Sequence, residues 1–202
     1  MNDKFFDLKK EKQDRMINAA LKIFALKGYE HASTDDIVKE AGISKGLLFH
    51  YFISKIGLYA FVYDYSVKYM MLEYSTGISK EETDFFALIS QMKNCELQVM
   101  RNYPYMLQFL NESKKEDVKE ALVATEEKAG VLPEHFHQIM QRADLGKFRP
   151  EVDVEKLVKI IKLTSNGLMT EQLISESFQA ELYVAEIEKY LTMLKKITYR
   201  ES

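Results

Sequence analysis

Ile17, Ala20, Leu21 and Phe24 stand at i, i+3, i+4 and i+7, the spacing that lays apolar side chains along one stripe of an α-helix. The interval returns in Leu58, Phe61, Val62 and Tyr65, whereas the alternation of a half-buried strand has little support anywhere in the chain. Eight glycines and three prolines in 202 residues interrupt the pattern rarely. The chain is therefore expected to be all-α. Its 47% hydrophobic content can bury a real core, and its 29% charged content keeps the outside wet.

Caps and breakers divide the pattern into elements. A first helix over residues 8 to 27 is expected to stop at Gly28. Ser33 and Thr34 then precede Asp35 and Asp36, where a hydroxyl can cap free N–H groups and acids suit the positive helix end. This second helix is short and ends at Gly42, which suits a tight turn; Ile43 plugs the gap between helices and Ser44 caps the next one. The third helix has room for only about two turns before Ser54, the cap of a fourth. Leu48 and Phe52, four apart, share its buried face, which leaves Lys45, Gly46, Leu47, His50 and Tyr51 to the outside or its margin. The result is helix, turn, helix.

Residues 15 to 58, "RMINAALKIFALKGYEHASTDDIVKEAGISKGLLFHYFISKIGL", resemble the DNA-binding domain of the tetracycline-repressor (TetR) family of bacterial transcription regulators. Arg15, Ala19, Ala20, Phe24, Gly28, Tyr29, Thr34, Ile37, Ala41, Gly42, Ser44, Gly46, Tyr51, Phe52, Lys55 and Leu58 fall at the family's spacing in unbroken register. The resemblance implies an N-terminal three-helix domain over residues 1–53. A shared helix joins it to a larger helical effector-binding and dimerisation domain over residues 54–202.

The residue types fit the chemistry of DNA. A recognition helix enters the major groove by its N-terminal end, where free N–H groups favour phosphate and nearby side chains reach base edges. Gly46 removes bulk so that backbone can approach the duplex closely, and Thr34, Ser44 and the Tyr51 phenol can donate to phosphate oxygens. Lys45 and Lys55 supply charge on either side of the helix. Base readout falls to Lys45, Leu47 and His50: a lysine can donate to guanine, whereas Leu47 offers apolar contact, as to a thymine methyl. Three places depart from the family pattern, one of them Ile56 and Gly57, which follow Lys55 where an acidic pair is usual. Leu47 stands where a small or hydroxyl residue is common, and Phe49 lacks the hydroxyl of the usual tyrosine.

Beyond residue 77 the pattern predicts a long helix opened by Ser79 and Glu82 as a capping box and broken at Pro104. Shorter helices are expected over 105–111, 114–128 and 133–142, then a loop in which Asp153 caps the next helix. In the last two helices Val154, Leu157, Val158, Ile161 and Leu168 form one apolar stripe, and Tyr183, Ile187, Tyr190, Leu191 and Leu194 form another, with Gly167 permitting close approach. Such stripes usually pack within their own chain; the resemblance implies a homodimer through these two helices. A two-fold protein sets two recognition helices about 34 Å apart, so it reads a palindromic operator.

Methionine, phenylalanine and tyrosine are plentiful between residues 59 and 140, and such side chains can line an adaptable apolar cavity. Phe86, Ile89, Met92, Met100, Tyr103, Met106 and Phe109 are the candidates for a small-molecule effector pocket, although similar stripes are more often plain core. The function expected is a ligand-responsive repressor released from its operator by a small, largely apolar effector. The alternative is a helical ligand-binding or interaction protein without specific DNA binding.

Other classes find little here. No nucleophile elbow, phosphate-binding loop, dinucleotide fingerprint or metal quartet is present, so no enzyme, cofactor or metal site is expected. Cys95 is alone, the N-terminus lacks the apolar core of a secretion signal, and no apolar run approaches the roughly 18 residues of a membrane span, which points to the cytoplasm. Net charge is −3 overall, which gives no global argument for nucleic-acid binding; residues 1 to 60 carry ten basic against eight acidic side chains, a mild asymmetry that by charge alone is scatter over solvated faces.

Overall fold

The computed structural model describes residues 3–174 and 179–200, and these are helical nearly throughout. A three-ten turn at Asp3–Asp7 leads into α1 (Lys10–His31), α2 (Thr34–Ala41) and α3 (Lys45–Phe52). There follow α4 (Lys55–Gly77), α5 (Phe85–Asn102), α6 (Met106–Glu112), α7 (Lys119–Ala129), α8 (Val131–Met140), α9 (Val154–Ile174) and α10 (Ala180–Thr198). Among the described residues no single helix is long and apolar enough to cross a membrane.

Three expectations need correction. Gly28 kinks α1 rather than ending it: at φ 69° it breaks the helix, and one further turn follows to His31. Glu116 Oε2 accepts the Tyr29 N–H at 2.9 Å, giving a partner to a donor the kink leaves open. The capping box at Ser79 and Glu82 does not form. Glu82 Oε1 instead accepts the N–H groups of Thr83 (2.9 Å) and Asp84 (2.7 Å), holding a turn, and Asp84 Oδ1 caps α5 by accepting from Ala87 at 3.1 Å. The helix expected over 114–128 starts only at Lys119, because Glu116 Oε1 bonds the N–H groups of Asp117 (3.3 Å) and Val118 (3.2 Å) and so favours a local turn.

Two packing units divide the chain. The first comprises Met1–Glu73 and Val99–His135, the second Tyr74–Gln98 and Phe136–Ser202, so α4, α5 and α8 each contribute to both. In the first, rings from α1, α4 and α6 interlock: Phe24 and Tyr59 meet edge to face at 4.9 Å, and Tyr59 meets Phe109 at 5.4 Å. In the second, Phe85, Phe86, Phe148 and Tyr199 cluster, the last two at 4.9 Å. Backbone bonds from Arg149 N to Thr198 O (2.9 Å) and from Arg200 N to Lys147 O (3.0 Å) fasten the loop before α9 to the end of α10.

The stripes expected to meet a second copy are partly buried within the second unit. Leu157, Ile161, Tyr183, Ile187 and Leu191 are buried there, while Val154, Val158, Leu168, Tyr190 and Leu194 are half-buried. A different face stays open: Ile160 and Leu163 on α9, exposed by 50% and 60%, with Gly167 one turn further, and Leu182, Met193 and Ile197 on α10. Apolar positions spread over a wide arc of each helix beside a face of Glu and Lys, so periodicity alone could not tell how much of that arc packs inward.

Candidate nucleic-acid interface

The turn between α2 and α3 is built as its residues dictate. Ser33 Oγ accepts the Asp36 N–H at 3.0 Å to start α2, and Gly42 takes the left-handed conformation (φ 62°, ψ 42°) that ends it. Ser44 Oγ accepts the Leu47 N–H at 3.2 Å to start α3. Its hydroxyl proton remains a donor, so the cap and a phosphate contact are compatible. Ile37 and Ala41 on α2 and Leu48 and Phe52 on α3 are buried, so both helices turn an apolar side inward.

The outer surface of α3 presents Ser44, Lys45, Gly46 and His50 exposed, with Leu47 and, on α2, Thr34 half-buried beside them. Lys45 Nζ lies 2.8 Å from Asp35 Oδ1, both largely exposed. A surface pair of this kind is worth about 0–1 kcal/mol, so the ammonium can exchange its carboxylate for a phosphate at little cost. Gly46 is the telling position. A Cβ added there meets nothing within 4 Å, and glycine in a helix costs about 1 kcal/mol against alanine. Nothing inside the protein requires the absence of a side chain.

Two candidates stand differently from expectation. Tyr51 is only 7% exposed rather than marginal, its ring 5.7 Å from Phe5 and 4.9 Å from His50. It lies next to Phe52 in sequence, so its side falls within reach of the N-terminal turn, which the motif did not predict. Lys55 turns back on its own chain: its ammonium donates to the carbonyls of Tyr29 (2.8 Å), Ala32 (3.2 Å) and Glu30 (3.3 Å) and sits 4.3 Å from the centre of the Tyr29 ring. A cation suits the negative end of α1 and satisfies carbonyls that the helix leaves open.

Behind the motif, α1 is tied to the rest of the first unit by polar groups that its sequence gave no sign of. Tyr103 O–H donates to Asp14 Oδ1 at 2.7 Å, and its oxygen accepts from Lys10 at 3.0 Å. With its one proton committed to Asp14, the 2.6 Å contact with Tyr65 is a bond donated by Tyr65. Asn18 Nδ2 adds a bond to the Asn102 carbonyl at 3.1 Å. Burial, with Tyr65 and Asp14 beside it, pushes the Tyr103 phenol far above the ordinary tyrosine range. At the other end of α1, Tyr29 O–H donates to Glu120 Oε2 at 2.6 Å; burial first and this carboxylate second raise its phenol as well.

All seven effector-pocket candidates are buried. Phe86, Ile89 and Met92 belong to the second unit and Met100, Tyr103, Met106 and Phe109 to the first. Phe109 packs in the core rings with Tyr59, and Tyr103 directs its hydroxyl toward Asp14 on α1.

Comparison with known proteins agrees with this geometry. A family profile described as bacterial regulatory proteins, tetR family, matches residues 16–61. The HTH-type transcriptional regulator SrpR of Pseudomonas putida is 19% identical over 187 residues, covering 92% of this chain and 86% of its own. The uncharacterized HTH-type transcriptional regulator YuxN of Bacillus subtilis is 51% identical over 49 residues, which are 24% of this chain and 17% of that protein. Among solved structures, the ketosteroid transcriptional regulator KstR2 of Mycobacterium tuberculosis superposes with a TM-score of 0.71 at 15% identity, over 96% of this chain and 97% of that one.

Proposed function

The chain belongs to the TetR family of bacterial transcriptional regulators, a non-enzymatic family, and from that premise we propose that it is a repressor released from a palindromic operator by a small, largely apolar effector. Gly46 carries the reading of the site. An exposed glycine in the first turn of α3, with open space where its Cβ would stand, serves a surface that comes from outside the protein. The sugar-phosphate backbone of DNA is such a surface, because free N–H groups at a helix start attract phosphate and a missing side chain lets it come near.

In this reading Ser44, Lys45 and Thr34 hold phosphates while Lys45, Leu47 and His50 face base edges. Tyr51 and Lys55 contribute by holding α3 and the end of α1, and any phosphate contact they make is additional. The exposed apolar face of Ile160, Leu163, Leu182, Met193 and Ile197 supports a homodimer through α9 and α10, with Gly167 allowing the two copies to approach closely. An effector with a differential affinity of about 1–3 kcal/mol for one arrangement of α4 changes operator affinity 5- to 150-fold. An apolar effector is in keeping with the ketosteroid regulation named for KstR2. DNA binding sets the protein in the cytoplasm.

Selection of genomic fragments by the purified protein, followed by titration of the recovered duplex against salt, tests the DNA reading. A palindromic site is expected, with affinity falling steeply at a log–log slope of about −0.9 per phosphate contacted. A flat salt response, with no enriched sequence, would leave a ligand-binding protein without specific DNA binding as the answer. A thermal-shift screen of apolar compounds, with operator affinity then measured for each hit, tests the effector. Hits that stabilise the protein yet leave affinity untouched would remove the coupling.

A further inference from the structure

The three-ten turn at Asp3–Asp7 lies outside the helix-turn-helix motif, yet Phe5 at its centre is fully buried. Its ring is 5.1 Å from Phe52 and 5.7 Å from Tyr51, both in the last turn of α3, and 5.2 Å from Phe61 in α4. The turn is closed by the bond from Leu8 N to Phe5 O at 3.2 Å. It is moored to α1 by Gln13, whose Nε2 donates to the carbonyls of Leu8 at 2.8 Å and Phe6 at 3.1 Å. One ring therefore bridges α3 and α4, and its own segment is anchored on α1.

α3 is only eight residues long, too short to hold its orientation by internal bonding. Leu48 and Phe52 anchor one side of it. Two contacts along one stripe leave the helix free to roll about that line. Tyr51 lies about 100° round the axis from Phe52, so a side chain packed against both Tyr51 and Phe52 resists the roll. A roll of about 15° moves a side-chain tip at the helix surface, about 5–6 Å from the axis, by about 1.5 Å, more than hydrogen-bond geometry tolerates.

We propose that Phe5 is a positioning residue for operator recognition: the N-terminal turn fixes the rotation of α3 and thereby aims Lys45, Leu47 and His50 at the base edges. The inference rests on α3 as the reading helix. It predicts that Phe5 acts on discrimination between sequences, since attraction to phosphates tolerates a small misalignment and base-edge contacts do not.

Full-length Phe5→Leu and Phe5→Ala proteins, titrated with the selected operator duplex and with a scrambled duplex of equal length, provide the test. Phe5→Leu keeps apolar bulk but loses the flat ring, and it decides the matter if Phe5→Ala fails to fold. The expected result for Phe5→Leu is unchanged helicity, about tenfold weaker operator binding and unchanged affinity for the scrambled duplex. Amide exchange should quicken in α3 and stay as it was in α1 and α2. Equal loss on both duplexes, unchanged affinity on both, or quickened exchange throughout α1, α2 and α3 overturns the proposal. A Lys45→Ala, His50→Ala protein that still discriminates fully between the two duplexes overturns the premise about α3 instead, and so marks a separate failure.

Discussion

Lys55 Nζ donates to the Tyr29 carbonyl at 2.8 Å, joining the first residue of α4 to the last turn of α1 across 26 positions of sequence. Ala32 and Glu30 offer two further carbonyls to the same ammonium. Lys55→Met keeps the aliphatic stem and removes the donor, leaving these carbonyls without their cation. Because hydrogen bonds to a charged group contribute about 1.5–3 kcal/mol, the variant should lose about 2 kcal/mol of stability in urea unfolding. A variant as stable as the parent, weakened only in DNA binding, would return Lys55 to the role of a plain phosphate contact.

Ile53 occupies a conformation that β-branched residues avoid, with φ 68° and ψ −45°, and Ser54 N reaches the Phe52 carbonyl at 2.7 Å in a γ-turn of the rarer hand. Its side chain is 73% exposed, so little packing offsets the strain. Ile53→Gly should raise stability by about 1 kcal/mol, the strain relieved less the extra freedom of the unfolded chain. The midpoint of chemical unfolding checks the sign. A lower midpoint would mean that the isoleucine side chain matters more than its backbone.

Buried tyrosines set an alkaline limit. Burial pushes Tyr183 up to about 12, and Tyr29, Tyr59 and Tyr103 are also raised by burial. A phenol with a raised pKa keeps its proton in the folded protein while the unfolded chain releases it near pH 10. The unfolded state then binds fewer protons, so stability falls as pH rises. The contribution is whole below about pH 10 and declines through about pH 12 for Tyr183. Phenolate absorbance followed beside circular dichroism should show these tyrosines ionising together with unfolding. Independent ionisation near pH 10 in a still helical protein would contradict the burial.

Leu163 and Leu157 lie on the same helix with opposite surroundings, the first 60% exposed and the second 4%. Leu163→Glu should leave the protomer folded but turn a dimer into a monomer in light scattering. Operator affinity should fall with it, because one recognition helix alone reads half a palindrome. Leu157→Ala should instead lower thermal stability, by about 2–5 kcal/mol, with association at fixed fold unaffected. A Leu163→Glu protein that remains dimeric would place the interface elsewhere.

Much of the fold is written in local signals. Ser33, Ser44 and Ser54 each accept an N–H three residues ahead, and Gly42 takes the left-handed turn, so the start of each helix in the motif could be named from its cap. Asp153 capping α9 through the Lys156 N–H at 3.0 Å follows the same rule. The rule failed at Ser79 and Glu82, where the residue types suit a capping box but the Glu82 carboxylate finds nearer partners in its own turn. The surface of α3 was legible in part: Leu48 and Phe52, four residues apart, place Lys45, Gly46 and His50 outside, but Tyr51 is buried against Phe5, a partner outside the motif.

The sequence by itself determined where the helices lie and how the reading helix is capped, because these depend on residues within one or two turns of each other. The tertiary structure decided what Phe5, Lys55, Tyr51 and Tyr103 do, and which side of α9 and α10 is buried. Those outcomes depend on partners up to 93 positions away, as in the bond from Lys10 to Tyr103. An apolar or cationic side chain carries no local mark of the distant carbonyl, ring or carboxylate that will meet it, and only the packed chain brings the two within bonding distance.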